Sequence, residues 1–249
     1  MSDLLVAAPL RLEALAIKAG GRRLRIHKTG MGLARSHAAV PTLRSDPAAA
    51  LAVMGVCGGL DERCEPGEVV IADQLLDGER DEHNGGLEER TEWHTTRGAG
   101  ESGDDGHVAP PVRLTCPSAG PLAEALQGRG IAVRLGPVAS VARAAHGQKR
   151  VELRERGAIV VDMESAWLAG GARGRPFAVI RVVADTPSRE LARPLLTLAG
   201  AAQAALSLRR VAAVLDELVR EHGAHTVLGG AGSGPRDVFA GSLASERGR

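Results

Sequence analysis

The segment Phe177-Ala178-Val179-Ile180-Arg181-Val182-Val183-Ala184 is rich in β-branched residues, and Asp185 follows it directly. A continuous run of this kind is typical of a strand buried on both faces, as in a parallel sheet. Further from this segment, similar runs at 4–8, 51–56 and 158–161 are separated by stretches with helical spacing. This alternation predicts an α/β fold of three layers, with helices on both faces of a mostly parallel central sheet.

One domain is predicted over residues 1–221, and two segments differ from it in composition. Residues 77–111 are polar and rich in glycine, so they bury too little apolar area to offset their ordering entropy. We predict a flexible loop insertion there, which is either a solvated insertion without function or a lid over a substrate. Residues 222–249 are rich in glycine and serine, and a disordered tail is predicted.

The composition excludes several classes of function. The chain has 31 basic and 30 acidic residues, which argues against nucleic acid as a partner. Two Phe, two Trp and no Tyr leave no aromatic platform for stacking bases. The three cysteines lack CxxC spacing and the histidines lack metal-binding spacing, so we expect a reducing cytoplasm and no metal. No stretch reaches the ~18 apolar residues of an integral membrane segment.

The residues that follow the predicted strands are the candidates for a site, because ligands of open α/β sheets lie beyond the carboxyl ends of the strands. These positions carry Glu13, the turn Thr29–Gly32, the block Gly55–Asp61 continued by Pro66–Ala72, the block Val161–Ala166, and the block Ile180–Asp185. In this order, the blocks resemble the nucleoside phosphorylase and nucleosidase superfamily, which includes methylthioadenosine/S-adenosylhomocysteine nucleosidase. The resemblance spans residues 4–218, apart from the 77–111 loop.

The resemblance implies a phosphorylase-type fold and cleavage of the N-glycosidic bond of a purine nucleoside. The sequence of Asp162–Ala166, together with that of Arg181–Asp185 downstream, is most similar to the hopanoid-associated phosphorylases. Those enzymes are linked to removal of adenine from adenosylhopane. The similarity therefore implies a small-molecule, adenosine-like partner, with inorganic phosphate as co-substrate and no other cofactor. Superfamily members usually form dimers or hexamers, so a homo-oligomer is expected, with a dimer favoured.

Two acidic residues are assigned to the two ends of the nucleoside. Cleavage produces a ribosyl cation-like transition state and a poor leaving group, so it needs a proton donor near N7 and negative support around the ribose. The resemblance assigns the donor to Asp185 and the ribose hydroxyls to Glu164, with Met163 packing on the sugar. From the residues alone, Asp185 is equally a helix N-cap and Glu164 a helix N-terminal acid. Because Glu164 lies two residues beyond Asp162, one of them can enter a pocket while the other caps the helix.

Two sets of residues are candidates for handling the nucleophile. The resemblance implies a water-activating glutamate after the first strand, and Glu13 is the candidate; a solvent-facing helical glutamate is the alternative. Phosphate requires cations or a nest of backbone N–H groups, for which Gly30, Gly32 and Arg35 are the candidates. The alternative for these glycines is a plain tight turn.

The third strand departs from one branch of the superfamily. Phosphorylases of the hexameric branch carry an arginine and a serine around the end of this strand, and this chain has Val53 and Val56 near those places.

Ser140 and Val141 are the candidates for holding the base, and Cys57 is expected to be a small buried residue. Two alternatives to the phosphorylase stay open. One is a nucleosidase acting on methylthioadenosine, S-adenosylhomocysteine or a futalosine-like nucleoside, and the other is a non-catalytic nucleoside-binding protein.

Overall fold

The structure is a computed structural model that describes residues 3–79, 113–187 and 194–229. Within these residues, strands and helices alternate along most of the chain, as the sequence predicts. The strands are β1 (Leu4–Ala8), β2 (Arg25–Lys28), β3 (Ala50–Gly59), β4 (Val69–Asp77), β5 (Arg113–Thr115), β6 (Val133–Ser140), β7 (Val160–Asp162) and β8 (Phe177–Asp185). The helices are α1 (Arg11–Gly20), α2 (Leu33–Ser45), α3 (Ala119–Gln127), α4 (Gln148–Glu155), α5 (Ser165–Leu168), α6 (Pro194–His222) and α7 (Ala224–Gly229), with a 3₁₀ turn at Ala169–Gly171.

The strands form one sheet, and its mixed character modifies the prediction. The order is β2-β1-β3-β7-β6-β4-β5, and β8 pairs with both β3 and β4. β1, β2, β3 and β8 run parallel to one another, whereas β4 runs antiparallel to β8. A parallel return needs a crossover of a dozen or more residues, and residues 60–68 between β3 and β4 are too few for one. The predicted α/β class is confirmed, and the sheet is mostly but not purely parallel, with five parallel and three antiparallel strand pairings among the described residues.

The centre of the sheet is the pair β3 and β8, which positions the late acidic residues. The pairing extends in register from Leu51 opposite Phe177 to Cys57 opposite Val183. A register shift follows, after which Gly58 lies opposite Asp185. Both strands are buried over nearly their whole length, so they read as continuous apolar runs in the sequence.

Two of the predicted boundaries differ from those in the structure. The tail predicted from residue 222 begins with α7 (Ala224–Gly229), because Val227 and Leu228 are buried in the hydrophobic core. Residues 230–249 lie outside the described part of the chain. The helix expected at Asp162 or Met163 begins only at Ser165. Most of the predicted 77–111 loop also falls outside the described residues.

Among the described residues, no helix is both long enough and apolar enough to cross a membrane.

Candidate active site

A cavity of about 170 Å³ lies beyond the carboxyl ends of the central strands. Of the predicted site residues, it is lined by Glu13, Val141, Met163, Glu164 and Asp185. These residues come from segments far apart in the chain, and the strand ends bring them together as expected. We call this space the strand-end cavity.

Arg181 is the centre of a buried charge cluster beside the strand-end cavity, and sequence analysis assigned it no role. Its side chain is fully buried, and its guanidinium pairs with Asp162 Oδ2 at 2.8 Å and with Glu164 Oε2 at 3.3 Å. It also donates to Ser165 Oγ at 2.9 Å. A single arginine within the apolar run 177–184 was the available signal, because a buried charge requires partners.

Asp162 and Glu164 divide two roles between them. Asp162 Oδ1 accepts hydrogen bonds from the backbone N–H groups of Glu164 and Ser165, at 3.0 and 3.2 Å, at the start of α5. The Glu164 carboxylate lines the cavity, and its Oε1 accepts from Gly32 N at 3.2 Å. Asp162 thus binds the first N–H groups of α5, as the capping role predicts, although both Asp162 and Glu164 line the cavity.

Glu13 bridges the first and third strand ends. Its Oε2 accepts from Leu10 N at 2.6 Å, across the start of α1, and its Oε1 accepts from Val56 N at 2.7 Å. The carboxylate also approaches Arg181 closely across Gly55, where an added Cβ would lie 2.5 Å from Arg181 Nη1 and 2.7 Å from Glu13 Oε1. Glu13 is buried, so the solvent-facing alternative is not what the structure shows.

Three carboxylates thus lie around one guanidinium, and burial raises the pKa values of two of them. Burial raises the pKa of Glu164 to about 7, against the lowering effect of Arg181, and the charges of Asp162 and Glu13 raise it further. Burial is also the main cause of the raised pKa of Glu13, which Arg181 and the backbone N–H groups partly offset. This end of the cavity therefore holds a proton near neutral pH.

Asp185 has a different environment, in which Arg150 is its basic partner among the described residues. Its Oδ2 forms a buried ion pair with Arg150 Nη2. Both residues line the strand-end cavity, and each is about 5% exposed: 4% for Arg150 and 6% for Asp185. Arg150 was not identified from the sequence, because its contact with Asp185 spans 35 residues and follows no local spacing.

The glycine turn lies differently from the phosphate site that was predicted. Gly30 and Gly32 have positive φ angles of 86° and 90°, as a tight turn requires. Neither glycine nor Arg35 lines the strand-end cavity, although Met31 does. The Arg35 side chain packs on Gly30, where an added Cβ would lie 2.5 Å from Arg35 Cδ. The structure therefore brings Arg35 to Gly30 but not to the wall of the strand-end cavity.

The two predicted base contacts, Ser140 and Val141, differ in whether they line the cavity. Val141 lines the cavity, whereas Ser140 is fully buried, donates to Asp162 Oδ1 at 2.6 Å and accepts from Ala166 N at 2.9 Å. Ser140 therefore supports the helix cap rather than facing the cavity. Cys57 also lines the cavity, but burial raises its pKa well above the ordinary value, so the thiol stays neutral.

Comparison with known proteins gives the family. The family model described as the phosphorylase superfamily matches residues 7–220. The chain belongs to the phosphorylase superfamily. This superfamily membership confirms the resemblance seen in the blocks at the strand ends. No curated protein sequence matches the chain significantly.

Solved structures of similar fold include three of bacterial proteins. Futalosine hydrolase of Helicobacter pylori superposes with a TM-score of 0.67 at 16% identity, covering 86% of this chain and 97% of that one. A complex of H. pylori 5'-methylthioadenosine/S-adenosyl homocysteine nucleosidase gives 0.68 at 16%, covering 88% and 97%. The corresponding nucleosidase of Neisseria meningitidis, with methylthio-immucillin-A, gives 0.66 at 19%, covering 86% and 99%. At sequence identities of 16–19%, this structural similarity shows that the chain shares their fold and nothing further.

Proposed function

We propose that this member of the phosphorylase superfamily cleaves the N-glycosidic bond of an adenosine-like nucleoside and releases the purine base. The observation that carries the proposal is the convergence of Glu13, Glu164 and Asp185 on one cavity. They follow or end three different strands, so a purely local structural role for each does not account for their meeting.

The ribose end of the nucleoside belongs at Glu164. Its carboxyl group can accept hydrogen bonds from both ribose hydroxyls, which orients the ring and supports the positive charge that develops at C1′. Met163 is adjacent in the cavity wall and supplies an apolar surface for the sugar. The alternative role of helix capping is already filled by Asp162.

The base end belongs at Asp185. A purine leaves most easily when N7 is protonated as the C1′–N9 bond breaks, and a positioned acid typically contributes ~10²–10⁴-fold. Part of the cavity wall is aliphatic, with Val141, Ala144 and Ala145. This agrees with a chain so poor in aromatic residues, in which a base is held by aliphatic contacts.

The geometry supports water as the nucleophile. An attacking phosphate would need free N–H groups or unpaired cations. Here the N–H groups of Gly32 and Val56 already bind the carboxylates of Glu164 and Glu13. Arg181 is likewise paired with Asp162 and Glu164. Glu13, by contrast, is a carboxylate with a raised pKa in the cavity wall, which suits a base that accepts a proton from water.

Phosphorolysis, with adenosylhopane as the substrate, is the second candidate, and it rests on the resemblance to hopanoid-associated phosphorylases. One observation favours a substrate of this shape. Leu10 and Met31 line the cavity and are also exposed, at 37% and 44%, so the cavity opens through an apolar rim. Such a rim suits a bulky apolar 5′ substituent.

The test is the release of free base by the full chain. Adenosine, methylthioadenosine, futalosine and detergent-solubilised adenosylhopane are each incubated in phosphate-free buffer and with added phosphate, and base and sugar products are separated by chromatography. Release without phosphate, giving the free sugar, is the expected result. Release only with phosphate, giving the sugar 1-phosphate, would establish phosphorolysis instead. Absence of base release from every nucleoside would overturn the proposal and favour a non-catalytic nucleoside-binding protein.

A further inference from the structure

Arg150 is a buried arginine in the wall of the strand-end cavity that neither the sequence motifs nor the proposed chemistry uses. It lies in α4 and is 4% exposed. Its Nε donates to Ala145 O and its Nη1 to Gly59 O, each at 2.9 Å, and its Nη2 pairs with Asp185 Oδ2. The guanidinium therefore connects the segment before α4, the end of β3 and the end of β8.

The absence of a side chain at Gly58 makes room for this pair. An added Cβ at Gly58 would lie 3.0 Å from both Arg150 Nη2 and Asp185 Oδ1, closer than nearly all real Cβ contacts. Gly58 is also the residue opposite Asp185 in the β3–β8 pairing. Backbone, glycine and arginine together fix the position of the Asp185 carboxyl group.

The fixed geometry has a cost that a purely structural role does not explain. Taking an arginine and an aspartate out of water is expensive, and apolar residues of similar volume often stabilise a fold as well as a buried pair does. A fork of donors with two contacts to backbone carbonyls, however, holds a carboxyl group at a defined place. Both members of this pair line the cavity, where such placement has a chemical use.

We propose that Arg150 is a positioning residue for departure of the base, and that it acts through Asp185. The inference rests on the proposed function. The Asp185 carboxylate, which is paired with Arg150 in the free protein, first takes up a proton from solvent as the nucleoside binds. As the C1′–N9 bond then breaks, its electron pair moves to the purine, and this proton passes from Asp185 to N7. The new bond at C1′ comes from the oxygen of water, whose proton passes to Glu13. Asp185 becomes a carboxylate in this step, and the guanidinium of Arg150 offsets the charge that it gains.

A substrate whose leaving group needs no proton separates this role from a structural one. 4-Nitrophenyl β-D-ribofuranoside has the same sugar but leaves as a stable phenolate. We expect Arg150→Gln to lower kcat for the best adenine nucleoside by about 100-fold or more, in line with the loss of a positioned acid. The same variant should change kcat for the 4-nitrophenyl riboside by less than about threefold, since Asp185 is not needed there.

Two further variants keep the test decisive. Arg150→Lys restores the charge and should recover at least tenfold of the lost nucleoside activity, whereas Arg150→Gln added to Asp185→Asn should cause no further loss. As the matched control, Glu164→Gln acts at the sugar and should impair both substrates. If Arg150→Gln fails to fold, by circular dichroism, the Arg150→Lys variant and its ratio of activities on the two substrates carry the test.

The outcomes distinguish this inference from the proposed function. Equal losses on both substrates in Arg150→Gln would show a structural role and overturn the inference. Wild-type nucleoside activity in Arg150→Gln would overturn it as well, while leaving the proposed function standing. A wild-type protein that releases base from no nucleoside removes the proposed function, and the inference with it.

Discussion

The two ends of the strand-end cavity use the same two residue types in different proportions. At the sugar end, Arg181 is surrounded by Asp162, Glu164 and Glu13, and burial raises the pKa of Glu164 to about 7. Among the described residues, the base end has Arg150 paired with Asp185. The two ends therefore differ in the number of carboxylates around the arginine. At the sugar end, burial together with the charges of Asp162 and Glu13 keeps a proton on Glu164 near neutral pH, whereas at the base end Arg150 holds the carboxyl group of Asp185 in place.

The largest expected effect follows from removing the guanidinium that three carboxylates share. Arg181→Met should lower the free energy of unfolding by about 3–5 kcal/mol, because it leaves buried charges uncompensated. Urea denaturation measures this. Arg129→Met is the matched control, since Arg129 pairs with Glu217 and Glu221 at the surface, where solvent screens the charges and little change in stability is expected. Equal stability of the two variants would show that the cluster at the sugar end does not depend on Arg181.

At the base end, the corresponding change acts on the reaction. Asp185→Asn should lower kcat for base release by about 10²–10⁴-fold, because the amide has no proton to give to N7. Initial rates of base release measure the effect. Asp61→Asn is the control, since Asp61 pairs with Arg63 far from the cavity wall, in an exposed copy of the same residue pair. Near-wild-type turnover by Asp185→Asn would show that the proton comes from elsewhere.

The proton retained at the sugar end predicts a dependence of stability on pH. The pKa of Glu164 is raised from 4.5 to about 7 in the folded chain, so between these values the folded state binds more protons than the unfolded one. The free energy of unfolding should therefore fall as pH rises from about 4.5 to about 7, by up to about 3 kcal/mol from this group. Urea denaturation across this range, compared between the wild type and Glu164→Gln, measures it. Identical slopes in the two proteins would contradict the assignment.

The smallest effect concerns the space around the base-end pair. Gly58→Ala places a methyl group 3.0 Å from Arg150 Nη2 and Asp185 Oδ1, and should cost about 1–3 kcal/mol of stability together with a several-fold loss of kcat. Thermal unfolding and initial rates measure the two effects. Gly120→Ala is the control, because an added Cβ there meets nothing within 4 Å. If the two variants behave alike, the pair has more room than the structure shows.

Sequence reasoning recovered the parts of the site that follow local rules. The strand-end rule placed Glu13 and Asp185 together, because the parallel strands β1, β3 and β8 deliver their following residues to one edge. Met163 and Glu164 reach the same place for another reason, since β7 runs antiparallel to β3 and pairs with its last residues. The two-residue spacing of Asp162 and Glu164 predicted that one would cap and the other would face the cavity.

The parts that were missed depend on tertiary contacts. Arg150 contacts Asp185, which is 35 residues away in the sequence, and no periodic pattern predicts such a contact. Ser140 was expected at the base but supports Asp162 instead, because neighbouring residues of a strand point to opposite faces and a one-residue error exchanges their roles. Arg35 was expected near phosphate on charge alone, and charge does not determine where a surface side chain packs.

The register shift in the β3–β8 pairing separates the two arginine centres. Residues 181 and 185 are four apart, and in an uninterrupted strand the alternation of side chains would direct both to the same side of the sheet. The shift leaves Ala184 as an extra residue between Val183 and Asp185, which reverses the alternation at that point. One additional alanine thus turns Asp185 to the side of the strand opposite Arg181, so that Asp185 pairs with Arg150 while Arg181 pairs with Asp162 and Glu164.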